Sequence, residues 1–158
     1  MKIILASASP RRSALLKVLG LEFDIIVSDS KETIDNSLSV SEIVEDLSFQ
    51  KASEVAKKID YDAIVIGADT VVSIDGKILG KPKDVDEAFD MLKSLSGKTH
   101  AVFTGFTIIR TSDQKRITDF EKTTVCFKNL TDSKIREYIK TSNTSNYRTI
   151  NYDTDSLF

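Results

Sequence analysis

Acidic, basic and hydroxyl side chains able to act on an anionic substrate are concentrated in three stretches of the chain. In residues 7–12 (SASPRR) two hydroxyls and two guanidiniums share about one helical turn; they belong to Ser7, Ser9, Arg11 and Arg12. Asp69 and Thr70 follow the apolar run Ala63–Ile66, which predicts a buried strand ending at a carboxylate and a hydroxyl. Lys81 follows a hairpin signal, Asp-Gly. An acid at one end of this hairpin and a lysine at the other suit acid–base chemistry beside a negative charge.

The first stretch has the pattern of a helix start that binds an anion. Ser9 is a favourable N-cap residue, and Pro10 suits the first helical position, where its missing N–H costs nothing. Arg11 and Arg12 then lie at the positive end of the helix dipole, where a bound phosphate would compensate their charge. Such a phosphate would also meet backbone N–H groups and the hydroxyls of Ser7 and Ser9. A surface helix with solvated arginines explains the same pattern, so the residues alone leave both interpretations open.

Lys51 and Glu32 are two further charged residues in candidate positions. Residues 39–42 (SVSE) match a capping box, which predicts a helix to about residue 58. Lys51 falls on the apolar face of this helix, so its ammonium either reaches water past its neighbours or points into a cleft at the sheet edge. Glu32 lies in the polar loop at residues 28–38, where acidic side chains are usually solvated.

Composition narrows the class of protein. The 158 residues carry a net charge of -2, from 22 basic and 24 acidic residues, which argues against binding of a nucleic-acid polymer. The single cysteine, Cys126, predicts a buried free thiol and fits the reducing cytosol. No apolar stretch reaches the length of a membrane-spanning helix, and the start of the chain predicts a strand rather than a signal peptide. We therefore expect a cytoplasmic protein without membrane or nucleic-acid partners.

The order of the predicted elements, βαβ–α–ββ–α–ββ–α, is typical of an α/β protein with a mixed sheet and flanking helices. At its centre the strand Ala63–Ile66 is followed by a second strand, Val71–Ile74, and a return strand, Lys77–Leu79. The chain has no P-loop, no dinucleotide-binding glycine fingerprint and no Gly-x-Ser-x-Gly elbow. The common nucleotide-binding folds and the serine hydrolases are therefore poorly supported.

Together the charged groups complement a nucleoside triphosphate. Its phosphate oxygens would accept hydrogen bonds from four cationic side chains, those of Arg11, Arg12, Lys51 and Lys81. Glu32 and Asp69 offer hard oxygen ligands to a divalent ion such as Mg²⁺. Hydrolysis of a phosphoanhydride also needs an aligned water and a base for its proton, and Asp69 is the best candidate for that base.

Six motifs make the chain resemble the Maf family of nucleotide pyrophosphatases. They are LASASPRR (residues 5–12), QKA (50–52), IGADT (66–70), DG (75–76), LGKP (79–82) and LSGKTH (95–100). The motifs stand in the family's order over the first two-thirds of the chain. Their combination is highly specific, although no single motif is.

The resemblance implies an elongated mixed sheet with flanking helices and a central cleft, similar to the fold of inosine-triphosphate pyrophosphatases. It also implies hydrolysis between the α- and β-phosphates to a nucleoside monophosphate and pyrophosphate, with a divalent metal, Mg or Mn. By position Asp69 matches the family's proton acceptor, and Glu32 matches an acidic residue near the metal. The phosphate-binding residues of the family match Arg12, Lys51 and Lys81.

Two positions indicate the branch of the family that the chain resembles. The branch acting on dTTP and UTP has Arg-Arg after the proline and Ala-Asp-Thr at the strand end, as here at Arg11 and Thr70. The branch acting on 7-methyl-GTP has Trp and Gln in those two places. The resemblance therefore implies a preference for dTTP and UTP.

The resemblance ends near residue 140. Residues 1–140 are expected to form the Maf-like domain, single or two-lobed, and residues 141–158 a divergent polar tail without the family's Asp-Lys-Ala and Ile-Gln-Gly groups. Without that carboxylate and that base-reading amide, the alternative is a catalytically impaired nucleotide-binding protein linked to cell-division regulation, and an unstable remnant is a third possibility. A sheet edge or apolar patch exposed by the altered tail would support a homodimer.

Overall fold

The computed structural model describes residues 1–29 and 32–141 of the chain. Six strands and four helices succeed one another in these residues. Their bounds are β1 Lys2–Leu5, α1 Pro10–Val18, β2 Asp24–Ile25, α2 Val40–Lys58, β3 Ala63–Ile74, β4 Lys77–Leu79, α3 Val85–Leu95, β5 Thr99–Arg110, β6 Arg116–Cys126 and α4 Asp132–Thr141. The predicted tail at residues 141–158 lies outside the described residues except for Thr141, and the predicted domain division stays a prediction.

The strands form one six-stranded mixed sheet in the order β2-β1-β3-β5-β6, with β4 paired to β3. Strand β1 runs parallel to both β2 and β3, whereas β3 and β4 are antiparallel. The tight turn between β3 and β4 has positive φ angles at Asp75 (50°) and Gly76 (75°), as the Asp-Gly signal predicts. The predicted α/β class, with a mixed sheet and flanking helices, is confirmed.

Strand β3 is one continuous strand, so the predicted break into two strands at residues 67–70 is wrong. Burial alternates along it, with Ala63, Val65, Gly67 and Asp69 on the buried side. Gly67 permits a close approach of helix α2: a Cβ built on it would lie 2.8 Å from the backbone nitrogen of Ala52. The glycine therefore serves packing instead of a turn, and Asp69 lies inside the strand instead of at its end.

The chain divides into two compact units, and each has its own apolar core. The first comprises, of the described residues, 1–29, 32–70 and 103–121. Its core consists of Ile4, Ala6, Ala52, Val55, Ala56, Ala63, Val65 and Ile109. The second comprises, of the described residues, 71–102 and 122–141. Its core consists of Ile74, Ala88, Leu92, Leu95, Phe127, Ile135, Tyr138 and Ile139.

The helix starts follow the local cap chemistry in three of four cases. Ser39 and Glu42 form the predicted capping box of α2, and Asp84 accepts from the N–H of Glu87 at the start of α3. Thr131 accepts from the N–H of Lys134 at the start of α4. In α1, by contrast, Ser9 occupies the N-cap position without a capping hydrogen bond from its side chain.

None of the residues of α1 is buried, and both Leu15 on this helix and Leu19 after it are exposed. The predicted burial of Cys126 is wrong. Cys126 is exposed instead of buried, because it ends β6, a strand whose side chains are mostly exposed. Its thiol lies 3.0 Å from the hydroxyl of Thr99.

Candidate active site

Asp69 and Lys51 form an ion pair between strand β3 and helix α2. The alternation of β3 turns Asp69 to the same side as Gly67, where α2 packs. The ammonium of Lys51 donates to Oδ1 of Asp69. The side chains are only 14% and 13% exposed, respectively. Lys51 therefore does not reach past its apolar neighbours into water but points towards Asp69 on β3.

Glu32 completes a chain of three charges. Its Oε1 lies 3.1 Å from the same Lys51 nitrogen, and 40% of its side chain is exposed. One ammonium therefore joins two carboxylates that come from a loop and a strand. A carboxylate has several lone pairs, and the contact with Lys51 does not use all of them. Each of these two carboxylates could therefore also bind a metal cation.

Arg12 brings the first helical turn to the same strand. Its guanidinium donates to the hydroxyl of Ser7 at 3.0 Å and to that of Thr70 at 3.4 Å. The Thr70 hydroxyl lies 3.0 Å from the hydroxyl of Thr104 on β5. Ser7 is buried at the end of β1 and also accepts from the backbone N–H of Ser9 at 3.3 Å. The guanidinium is thus held by one hydroxyl in the segment after β1 and one hydroxyl on β3.

The environment of Arg12 is electrostatically mixed. Desolvation lowers the pKa of Arg12 below its ordinary value. The carboxylate of Asp69 opposes this shift, the guanidinium of Arg11 adds to it, and Glu32 opposes it more weakly. Because an arginine remains protonated in proteins, the guanidinium is a permanent cation within electrostatic reach of both carboxylates.

The structure brings together most of the residues that the sequence singled out. The contacts hold these residues in two groups within the first unit: one contains Glu32, Lys51 and Asp69, and the other contains Ser7, Arg12 and Thr70. Arg12 is within electrostatic reach of Asp69 and Glu32. Ser9 lies beside Ser7 through its backbone, and Arg11 is exposed on α1. Lys81 is exposed after β4 in the second unit, and its predicted part in the site stays a prediction.

Thr104 is a site residue that sequence reasoning missed. It lies 34 positions from Thr70 along the chain, and the two hydroxyls meet only because β3 and β5 are neighbours in the sheet. The residues of β5 do not alternate regularly between polar and apolar, so nothing local indicates which hydroxyl faces Thr70.

The donor set fits a hard divalent cation. Glu32 and Asp69 offer carboxylate oxygens, which Mg²⁺ and Mn²⁺ prefer. Within residues 1–29 and 32–141, no three His, Cys, Asp or Glu side chains gather into a ready-made cation cage. Two carboxylates with water and phosphate oxygens are the usual ligands of a substrate-associated Mg²⁺, so the residues present match that kind of site.

No helix in the described part of the chain is long and apolar enough to cross a membrane.

Comparison with known proteins identifies the family. The Maf-like protein family matches residues 2–148. The dTTP/UTP pyrophosphatase of Thermoanaerobacter sp. (strain X514) is 56% identical over 141 residues, which are 89% of this chain and 73% of that protein. The protein of the same name from Alkaliphilus oremlandii is 54% identical over 140 residues, 89% of this chain and 72% of that protein. The chain belongs to the Maf family.

Solved structures with a similar fold are distant in sequence. The Ham1 protein of Staphylococcus aureus gives a TM-score of 0.54 at 14% identity, over 80% of this chain and 72% of that one. The nucleoside-triphosphatase / dITP/XTP pyrophosphatase of Mycobacterium abscessus gives a TM-score of 0.51 at 15% identity. The match covers 82% of this chain and 76% of that one. Likenesses at this identity concern the fold, and they agree with the predicted similarity to the inosine-triphosphate pyrophosphatase fold.

Proposed function

We propose that this chain is a nucleoside triphosphate pyrophosphatase that hydrolyses dTTP and UTP to the nucleoside monophosphate and pyrophosphate. The observation that carries the proposal is the charge chain Glu32–Lys51–Asp69 with Arg12 beside it. This arrangement occurs in a chain 56% identical to a relative named dTTP/UTP pyrophosphatase. The alternative of an impaired nucleotide-binding protein is not favoured by these relatives.

Asp69 is proposed as the general base. A water oxygen forms a bond to phosphorus while the bridging oxygen between the α- and β-phosphates departs with pyrophosphate, and the water proton passes to the Asp69 carboxylate. A base must be held in place to act on an aligned water, and the middle of a strand is among the most rigid places in a protein. The ion pair with Lys51 further fixes the carboxylate.

Lys51 and Arg12 are proposed to hold the phosphates. Negative charge builds up on the departing pyrophosphate, and fixed cations near it lower the barrier. The Arg12 guanidinium is already oriented by the hydroxyls of Ser7 and Thr70, so little rotamer entropy is lost when a phosphate binds. Lys81 and the hydroxyls of Ser7 and Ser9 are proposed as further phosphate contacts.

Glu32 and Asp69 are proposed to hold the divalent metal, Mg²⁺ or Mn²⁺. When bound, the metal would neutralise phosphate charge and orient the triphosphate. Lys51, which contacts both carboxylates, would then also donate hydrogen bonds to phosphate oxygens.

Arg11 and Thr70 are proposed to set the preference for dTTP and UTP. We also propose a cytoplasmic location. Homodimer formation stays a prediction.

The test is a substrate panel with the purified full chain. Pyrophosphate release is measured with dTTP, UTP, dCTP, dATP, dGTP and 7-methyl-GTP, each with Mg²⁺, with Mn²⁺ and with a chelator. The expected result is release from dTTP and UTP that the chelator abolishes and either metal restores. If none of the triphosphates yields pyrophosphate under any of these conditions, the proposal is wrong. Preferred release from 7-methyl-GTP would contradict the assignment of Arg11 and Thr70.

A further inference from the structure

The side-chain amide of Gln50 is bonded to both backbone groups of Thr33. The N–H of Thr33 donates to Oε1 of Gln50 at 3.1 Å, and Nε2 of Gln50 donates to the carbonyl of Thr33 at 2.9 Å. The same Nε2 also donates to Oδ2 of Asp46 at 2.6 Å. A primary amide has two N–H donors, so all three bonds can form at once. We call the two bonds to Thr33 the Gln50 clamp.

The two residues of the Gln50 clamp are sequence neighbours of two residues of the charge chain, one on α2 and one in the loop. Gln50 precedes Lys51 on α2, and Thr33 follows Glu32 in the loop. Two successive helix residues therefore hold two successive loop residues: Gln50 binds the backbone of Thr33, and Lys51 binds the carboxylate of Glu32. The position of Glu32 relative to Lys51 is thus fixed from two directions.

Helix α2 is a rigid support for this arrangement. Cβ atoms built on Gly67 and Gly105 would lie 2.8 Å from the backbone nitrogen of Ala52 and 2.7 Å from that of Glu45, so the helix backbone lies directly on the strands at two points. Between these points the fully buried hydroxyls of Ser48 and Thr107 meet at 2.8 Å. A helix seated in this way cannot slide without clashes or a lost buried hydrogen bond.

The loop, by contrast, has little packing of its own near Glu32. Residues 32–37 are all exposed. An ion pair with a carboxylate that is 40% exposed fixes a loop weakly, because water screens it and ordering the side chain costs entropy. Two hydrogen bonds from the seated helix to the loop backbone add a restraint that the ion pair alone does not provide.

We propose that Gln50 is a positioning residue of the hydrolytic reaction, which holds Glu32 in place through the backbone of Thr33. This inference rests on the proposed function. Gln50 itself need touch neither substrate nor metal; its effect on turnover passes through the Glu32 carboxylate.

The first test is a double-mutant cycle on the full chain. Gln50→Met keeps the length of the side chain and removes the clamp, and kcat with dTTP and Mg²⁺ should fall roughly 10-fold, as for other supports of ligand residues. In a Glu32→Gln background the same substitution should change kcat less than about 2-fold, because the residue that it positions is already impaired. An equal loss in both backgrounds would overturn the proposal, since a general structural defect does not depend on Glu32.

Asp46→Ala is the matched control. It removes the other partner of Nε2 on the surface of α2 and leaves both bonds to Thr33. Its kcat should stay within about 2-fold of the parent. Gln50→Glu keeps an acceptor for the Thr33 N–H but loses the donor to the carbonyl, so an intermediate kcat is expected. If Gln50→Met does not fold, the comparison of Gln50→Glu with Asp46→Ala decides the question in the same way.

A second readout separates this inference from the proposed function. Amide hydrogen exchange at Thr33, measured without nucleotide, should be faster in Gln50→Met than in the parent and unchanged in Asp46→Ala. Unchanged exchange in Gln50→Met would overturn the clamp whatever the activity. A parent chain that hydrolyses no triphosphate would overturn the proposed function and the catalytic role of Gln50, while the exchange measurement would still decide whether the clamp exists.

Discussion

The ammonium of Lys51 lies against the carboxylate of Asp69 and within 3.1 Å of Glu32, so a single cation stands between two acids. All three side chains come from one unit of the fold. Because both acids contact the same lysine, replacing one of the three side chains changes the electrostatic environment of the other two.

Asp69→Asn should lower kcat by roughly 10²- to 10⁴-fold, the usual contribution of a general base. The amide keeps the shape of the side chain and an oxygen for Lys51 but cannot take up the water proton. Pyrophosphate release under saturating dTTP gives kcat, and circular dichroism checks that the variant is folded. A variant with more than a third of the parent's kcat would show that another group acts as base.

Lys51→Met should destabilise the fold by roughly 1–3 kcal/mol, the cost of leaving a largely buried polar acceptor unsatisfied. Urea unfolding measures this free energy. Adding Asp69→Asn removes the unpaired charge, so the double variant should be more stable than Lys51→Met alone. Additive losses would mean that the two side chains do not interact in solution.

Gly67→Ala should destabilise the first unit by about 1–3 kcal/mol or more, because the new methyl group meets the backbone of α2 at Ser48 and Ala52. Gly80→Ala is the control, since a Cβ at Gly80 meets no atom within 4 Å. The midpoints of urea unfolding of the two variants are compared. Equal midpoints would contradict the close contact between α2 and β3.

Thr104→Val should lower kcat/KM for dTTP roughly 2- to 10-fold, the equivalent of a lost hydrogen bond of 0.5–1.5 kcal/mol. The valine keeps the volume but no longer bonds to Thr70, which in turn holds Arg12. Thr104→Ser restores the hydroxyl and should recover most of the loss. If serine and valine behave alike, the hydroxyl at this position has no part in the site.

Asp113→Asn should destabilise the protein near neutral pH but not near pH 2. The hydrogen bond from Arg110 lowers the pKa of Asp113 from 3.8 to about 2. The ionised Asp113 carboxylate therefore stabilises the fold fully at pH values above its ordinary pKa of 3.8. This stabilisation is lost as the pH falls through the lowered pKa of about 2. The difference in urea midpoint between parent and variant should shrink over this interval. A difference that does not depend on pH would contradict the ionic hydrogen bond.

Elements set by local chemistry were predicted closely from the sequence. The capping box at Ser39 and the Asp-Gly turn at Asp75 depend on neighbours within a few residues, and both are found where the residues indicate. Motif positions likewise brought Asp69, Lys51 and Arg12 into one hypothesis. The structure pairs Lys51 with Asp69 and places the Arg12 guanidinium within electrostatic reach of Asp69.

Features set by distant parts of the chain could not be predicted in this way. The continuation of β3 through Gly67 could not be predicted, because the packing of this glycine against α2 involves residues 48–52 on another element. The direction of Lys51 stayed open for the same reason, since its partners come from β3 and a loop. Thr104 was missed because its contact with Thr70 exists only through the pairing of strands.

Helix α1 has no buried side chain, yet its Arg12 reaches hydroxyls at the end of β1 and inside β3. The attachment of this helix and the proposed binding of phosphate thus depend on the same guanidinium. Ligand occupancy and the order of the helix are therefore thermodynamically linked: whatever engages Arg12 must strengthen or weaken the anchoring of residues 10–18.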